Sequence, residues 1–177
     1  GVGPEVLLKA LATHRVNKIC IPIIYGSGKH LSKYKHLVGM PNWQYVVITD
    51  PAQALQKNHS IINCLKGEAF ELQIGKLDRN AGTLALDSLV RATNDLKEKK
   101  IDALVTAPIS KENIQSENFK FPGHTEYLAQ AFQKNDVLMF MVSDNLRIGV
   151  VTGHIPLEKV KEKLSKELIR SKLNIML

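Results

Sequence analysis

The sequence predicts an α/β fold with a largely parallel sheet, and three observations carry that prediction. Short β-rich apolar runs recur at Ile19 to Tyr25, Gln44 to Thr49, Ser60 to Leu65 and Ile101 to Thr106. Helical patterns and polar turns stand between them, the alternation that parallel sheets leave in sequence. From Asn80 to Lys99 the residues Ala85, Leu89, Ala92 and Leu96 fall at intervals of four, three and four, one face of a long amphipathic helix. Val137 to Val142 and Arg147 to Thr152 are joined by Ser143-Asp144-Asn145, a hairpin signature that adds at least one antiparallel pair.

Each element has a local reason. Gly1 to Leu11 reads as a helix start: Pro4 suits the first turn, Glu5 complements the positive end of the dipole, and Val6, Leu7, Ala10 and Leu11 form an apolar stripe. Such a helix N-terminus also suits a phosphate. Ile19 to Tyr25 is a strand interrupted by Pro22, and Lys29 to Leu37 the helix after it. The helix from Asn80 ends in lysines suited to its C-terminus. Ile101 to Thr106 is a buried-looking strand stopped at Ala107-Pro108. Beyond Pro156 the chain is expected to be helical to Leu177. The stretch Gln115 to Gly123, polar and closed by Phe121-Pro122-Gly123, is the expected crossing between domains, giving a first α/β domain over 1–115 and a second over 116–177.

The 177 residues suffice for one domain of ordinary size. Neither Gly1 nor Leu177 sits in the context of a natural terminus, so the chain is expected to be cut at both ends. With 44% hydrophobic and 23% charged residues and no bilayer-length apolar run, the composition is that of a soluble globular protein, and a cytoplasmic location with no membrane partner is expected. Cys20 and Cys64 lie in apolar stretches and read as two buried free thiols. The net charge of +7 is spread through mixed runs such as Lys97-Glu98-Lys99-Lys100, and aromatics make up only 6%. That pattern excludes a base-stacking nucleic-acid surface and agrees with a small anionic substrate.

Gly26-Ser27-Gly28, with Asp50 further on, resembles half of a dinucleotide fingerprint, but Leu31 occupies the place of the third glycine. A strand-to-helix turn is therefore expected there. A phosphate-binding P-loop fails as well, since His30 follows Gly28-Lys29 and Ile23 stands where the leading glycine belongs. Among the six histidines, His14, His30, His36 and His59 lack partners at ligand spacing and are expected to be exposed. His124 and His154 each follow a glycine near the end of a strand or loop, where open α/β sheets place ligands.

Three segments in order, Val105-Thr106-Ala107-Pro108-Ile109-Ser110-Lys111, Phe121-Pro122-Gly123-His124-Thr125-Glu126-Tyr127 and Val151-Thr152-Gly153-His154-Ile155-Pro156-Leu157, resemble the 4-hydroxythreonine-4-phosphate dehydrogenase family. The opening Gly1-Val2-Gly3-Pro4-Glu5 is similar to the end of that family's glycine-rich N-terminal segment. Gly153 departs mildly, standing where many relatives carry another small or hydroxyl residue.

The resemblance implies a three-layer α/β/α fold like that of isocitrate and isopropylmalate dehydrogenases, present here as a fragment of a two-domain protein. It also implies a homodimer with active sites shared between subunits. It implies His124 and Thr125 as substrate-binding residues and His154 as one of three metal-binding histidines, the other two lying beyond Leu177. Lys111 is a further candidate for phosphate or carboxylate. The implied cofactors are NAD or NADP and a divalent metal (zinc, magnesium or cobalt). The implied reaction is oxidation of 4-phosphooxy-L-threonine and decarboxylation to 3-amino-2-oxopropyl phosphate, in pyridoxine 5'-phosphate synthesis. A sister dehydrogenase acting on threonate or erythronate phosphate, and a non-catalytic phosphometabolite-binding module, stand as alternatives. The chain by itself is expected to be inactive, with Leu168, Ile169, Leu173 and Met176 left as exposed apolar surface.

Overall fold

The computed structural model describes residues 1–13, 15–67, 70–71, 73–115, 120–121 and 123–177. They form two compact units, Gly1–His124 and Thr125–Leu177. The expected crossing from Gln115 to Gly123 lies largely outside the described residues, as does His14.

The first unit is built on three parallel strands, β1 (Ile23–Gly26), β2 (Val46–Ile48) and β3 (Ser60–Asn63), in the order β1-β3-β2. Central β3 pairs Ile61 with Ile24 on one side and Val47 on the other. Its neighbouring side chains point to opposite faces. Ile61 enters a core with Leu8 and Leu11 of helix α1 (Gly3–Leu11), Leu31 and Tyr34 of helix α2 (Gly28–Leu37), and Trp43. Ile62 joins Ile48, Cys64 and Leu84 on the other face, where helix α3 (Arg79–Lys97) packs. Burial on both faces is why β3 carries two successive isoleucines, and it gives the expected α/β/α layering.

Helix α3 starts where Asp78 accepts hydrogen bonds from Asn80 N at 2.8 Å and Ala81 N at 3.4 Å. Asp95 is buried within the face it turns to the sheet. It accepts from the Tyr25 hydroxyl at 2.8 Å and from Arg91 Nε at 3.1 Å, and Arg91 also donates to Thr49 O at 3.3 Å. The network therefore ties α3 to β1 and to the end of β2.

The second unit holds helix α4, which starts at the unit boundary (His124–Ala131), an antiparallel hairpin of β4 (Met139–Ser143) and β5 (Leu146–Val150), and helices α5 (Val160–Lys163) and α6 (Lys166–Met176). Ser143 pairs with Leu146, so the turn is Asp144-Asn145 alone. Asp136 joins this hairpin's entrance to α6 by pairing with Lys172 and accepting from Ser171 Oγ at 2.9 Å. Ile169, Leu173 and Met176 are exposed as expected, whereas Leu168 is half-buried.

Several expectations are corrected. Ile19 is 86% exposed and ends a short 3-10 turn, so β1 begins only after Pro22, and Cys20 is an exposed thiol while Cys64 is buried. Pro22 withholds the N–H that a ladder needs. Ile101 to Thr106 forms no strand, and Val105 is 93% exposed. Apolar content signals burial, but a strand also needs a paired edge. The C-terminal helix is broken at Leu164, because Ser165 caps a new helix by accepting from Leu168 N at 3.1 Å.

Candidate active site

The segment after Ile101 is shaped by glycines on two helices. Gly3 in the first turn of α1 lies against Pro108 O and Ala107 Cβ, where an added Cβ would stand 3.1 and 3.4 Å away. Gly82, in the first turn and a half of α3, lies directly beneath the Asn113 carbonyl. Asn113 Nδ2 donates to Asp78 O at 2.8 Å, Ser110 O accepts from Asn113 N at 3.1 Å and Ile114 N at 3.2 Å, and Ile114 is buried. Lys111 is thus carried on a turn fixed at both ends against the N-terminal parts of two helices.

His124 opens α4, after the buried Gly123. Thr125 is exposed in the first helical turn, and Glu126 follows it. Partial burial of His124, with the Lys111 charge acting in the same direction, holds its imidazole below the usual histidine range. At neutral pH the ring is therefore uncharged, with one nitrogen able to donate and the other to accept. The bracing of the Lys111 turn is not revealed by any spacing in the sequence, since it depends on the distant glycines Gly3 and Gly82.

His154 stands in the second unit, two bends after β5, exposed and preceded by Gly153 at φ 61°. Ile155 N donates to Gly153 O at 3.1 Å, and Pro156 leads into the next turn. Among the described residues no three His, Cys, Asp or Glu side chains converge as metal ligands. The residues described here therefore supply an imidazole donor but do not make up a coordination sphere.

The Gly26-Ser27-Gly28 turn is structural. Ser27 caps α2 by accepting from His30 N at 3.4 Å, and a Cβ on Gly28 would sit 3.0 Å from the Tyr45 ring. The Tyr45 hydroxyl donates to Gly28 O at 2.9 Å and lies 2.8 Å from Ser32 Oγ. A tyrosine fills the space that a pyrophosphate would need, and Asp50 is spent capping Pro51–Gln53. Two histidines expected to be exposed are buried instead. His30 is 5% exposed with Nε2 3.0 Å from Phe70 O, and His59 is 7% exposed and stacked on Trp43 at 5.1 Å. Imidazole carries an apolar ring face, which polar neighbours in sequence conceal. His36 is exposed, as expected.

The fold defines a layered α/β protein in which a turn braced by two helices carries Lys111 and His124 opens a helix of its own. The chain belongs to the family of the pyridoxal phosphate biosynthetic protein PdxA, whose model matches residues 18–177. It is 38% identical over 176 residues to a 4-hydroxythreonine-4-phosphate dehydrogenase of Bacteroides thetaiotaomicron, covering 99% of this chain and 48% of that protein. A D-threonate 4-phosphate dehydrogenase of Cupriavidus necator is 37% identical over 172 residues, covering 96% and 51%. The crystal structure of a 4-hydroxythreonine-4-phosphate dehydrogenase from Burkholderia phymatum superposes with a TM-score of 0.86 at 32% identity, covering 98% of this chain and 53% of that one. The chain spans about half the length of the relatives it matches. Among the described residues no helix is long and apolar enough to cross a membrane.

Proposed function

We propose that the protein acts as a cytoplasmic, homodimeric dehydrogenase that oxidises 4-phosphooxy-L-threonine with NAD or NADP and a divalent metal. The hydroxyl carbon gives up a hydride and the hydroxyl its proton. The resulting β-keto acid loses carbon dioxide, leaving 3-amino-2-oxopropyl phosphate in the route to pyridoxine 5'-phosphate. Near-full-length similarity of this chain to a relative named for that activity carries the reading. A bound divalent metal would supply charge stabilisation at the alcohol oxygen. The described residues do not assemble a metal or nicotinamide site, so the roles assigned here are those of the chain's own side chains.

In this reading His124, uncharged, hydrogen-bonds the substrate, and the Thr125 hydroxyl adds a second polar contact that fixes its orientation. Burial of the ring makes that hydrogen bond stronger than it would be in water. His154 serves as the chain's contribution to the metal's ligands, its exposed imidazole presented from a turn set by Gly153.

A second reading has its own support. The Cupriavidus relative, almost equally similar, is named for a phosphorylated hydroxy acid that lacks the amino group. The test is the rate of NADH or NADPH formation by the whole protein with 4-phosphooxy-L-threonine and with D-threonate 4-phosphate. A higher kcat/KM on the first supports the proposal. Preference for the second assigns the sister activity, and turnover of neither overturns both.

A further inference from the structure

We propose that Gln115 is a positioning residue for His124: its side-chain amide, donating to the Phe121 carbonyl, fixes the main chain that delivers the imidazole to the substrate. The proposal deepens the reading of His124 as a substrate-binding residue and rests on it.

Gln115 is anchored from behind. Its own N–H donates to Glu112 O at 3.3 Å, at the end of the turn in which Ser110 O accepts from Asn113 N and Ile114 N. Ile114, immediately before it, is 5% exposed, and Asn113 is held by Asp78 O at 2.8 Å and seated on Gly82. From this fixed point Gln115 Nε2 reaches Phe121 O, six residues on, at 2.8 Å. That is the length of a full hydrogen bond, so the amide ties the chain arriving at His124 to the braced turn.

Only two residues separate Phe121 from His124. The second of them, Gly123, is buried, and the imidazole is half-buried where α4 begins. A carbonyl held at Phe121 therefore leaves the chain little room to shift before it reaches the ring. Misplacement by about 1 Å is enough to spoil a substrate contact of this kind. Gln115 is itself exposed, so removing its amide opens no cavity, and the hydrogen bond is what the side chain contributes.

The experiment compares Gln115→Met, which keeps the length of the side chain and removes the donor, with His124→Ala and with the double variant. All are made in the whole protein and checked by thermal melting. Loss of one neutral hydrogen bond should raise KM for 4-phosphooxy-L-threonine by roughly three- to tenfold in Gln115→Met. The kcat should stay within about twofold, since the contact serves binding. In the His124→Ala background the same substitution should change KM no further, because its effect passes through the ring. A merely structural glutamine would act equally in both backgrounds. The His124 imidazole, followed by NMR, should also titrate nearer its ordinary value in Gln115→Met, because burial is the larger of the influences that lower it. Unchanged KM in Gln115→Met overturns the proposal, and so does an equal rise in both backgrounds. If the unaltered protein oxidises neither substrate, the dehydrogenase reading fails and the NMR titration decides: a shifted His124 midpoint sustains the positioning role, and an unmoved one overturns it.

Discussion

The main chain of Asn113 lies so close over Gly82 that no side chain fits at position 82: an added Cβ would be 3.0 Å from the Asn113 carbonyl carbon and closer still to its oxygen. Two segments far apart in sequence are held in contact by a missing methyl group. Gly82→Ala would ordinarily favour a helix by roughly 1 kcal/mol. Here it should destabilise the protein by about 1–3 kcal/mol, because backbone and not a pliable side chain must move. Thermal melting of the whole protein decides it, and an unchanged or raised melting temperature would refute the close packing.

The buried Asp95 carboxylate supports a second prediction. Asp95→Ala removes the acceptor of both Tyr25 and Arg91 and should cost roughly 2–4 kcal/mol, whereas Tyr25→Phe removes one neutral donor and should cost about 1 kcal/mol. Arg91 is partly exposed, so Arg91→Ala should fall at or below the smaller figure. Denaturant melts of the three variants and the Asp95→Ala/Tyr25→Phe double variant measure the coupling. Additive effects would show that the network is not a unit.

The depressed pKa of His124 gives a pH dependence with a definite sign. The folded state holds this proton less tightly than the unfolded chain, whose imidazole titrates near the ordinary value of about 6.5. The contribution to stability is present above that value and declines as pH falls through it, levelling off below the folded pKa. Substrate binding through the uncharged ring should correspondingly persist to a pH below 6.5. An NMR titration of the His124 ring checks this, and a midpoint at or above the ordinary value would contradict it.

His124 and His154 should fail differently in the whole protein. His154→Ala is expected to lower metal content and activity together. His124→Ala is expected to raise KM by roughly tenfold or more with metal retained. Metal analysis after gel filtration separates the two roles, and equal metal loss in both variants would remove the distinction.

The layered fold was legible because its signals are local. Ile61 and Ile62 are β-branched and point to opposite faces of β3, and the α3 stripe from Ala85 to Leu96 needs only a count of intervals. What escaped depends on partners distant in sequence. Ile101 to Thr106 has a strand's composition but no ladder, and Ile19 has apolar neighbours but no cover. His30 and His59 are polar residues buried by the aromatic rings of Phe70 and Trp43. Asp95 left a trace, as a carboxylate three residues after Ala92 on the apolar face and four after Arg91. Of the candidate site, the glycine before each histidine marked the positions. The bracing of the Lys111 turn was hidden because it is set by Gly3 and Gly82, far away in sequence.

The tyrosine wedged into the Gly26–Gly28 turn bears on the nucleotide use proposed for this protein. The usual handle for switching between NAD and NADP in dinucleotide-binding folds is an acidic residue following the glycine loop, and Asp50 occupies that position in sequence. Here Asp50 caps a turn with Gln53, and the loop before it is filled by the Tyr45 ring. Replacing Asp50 would loosen the Pro51–Gln53 turn and leave nucleotide choice where it was. Under the proposed function, redesign of cofactor preference must therefore target a different wall of the protein.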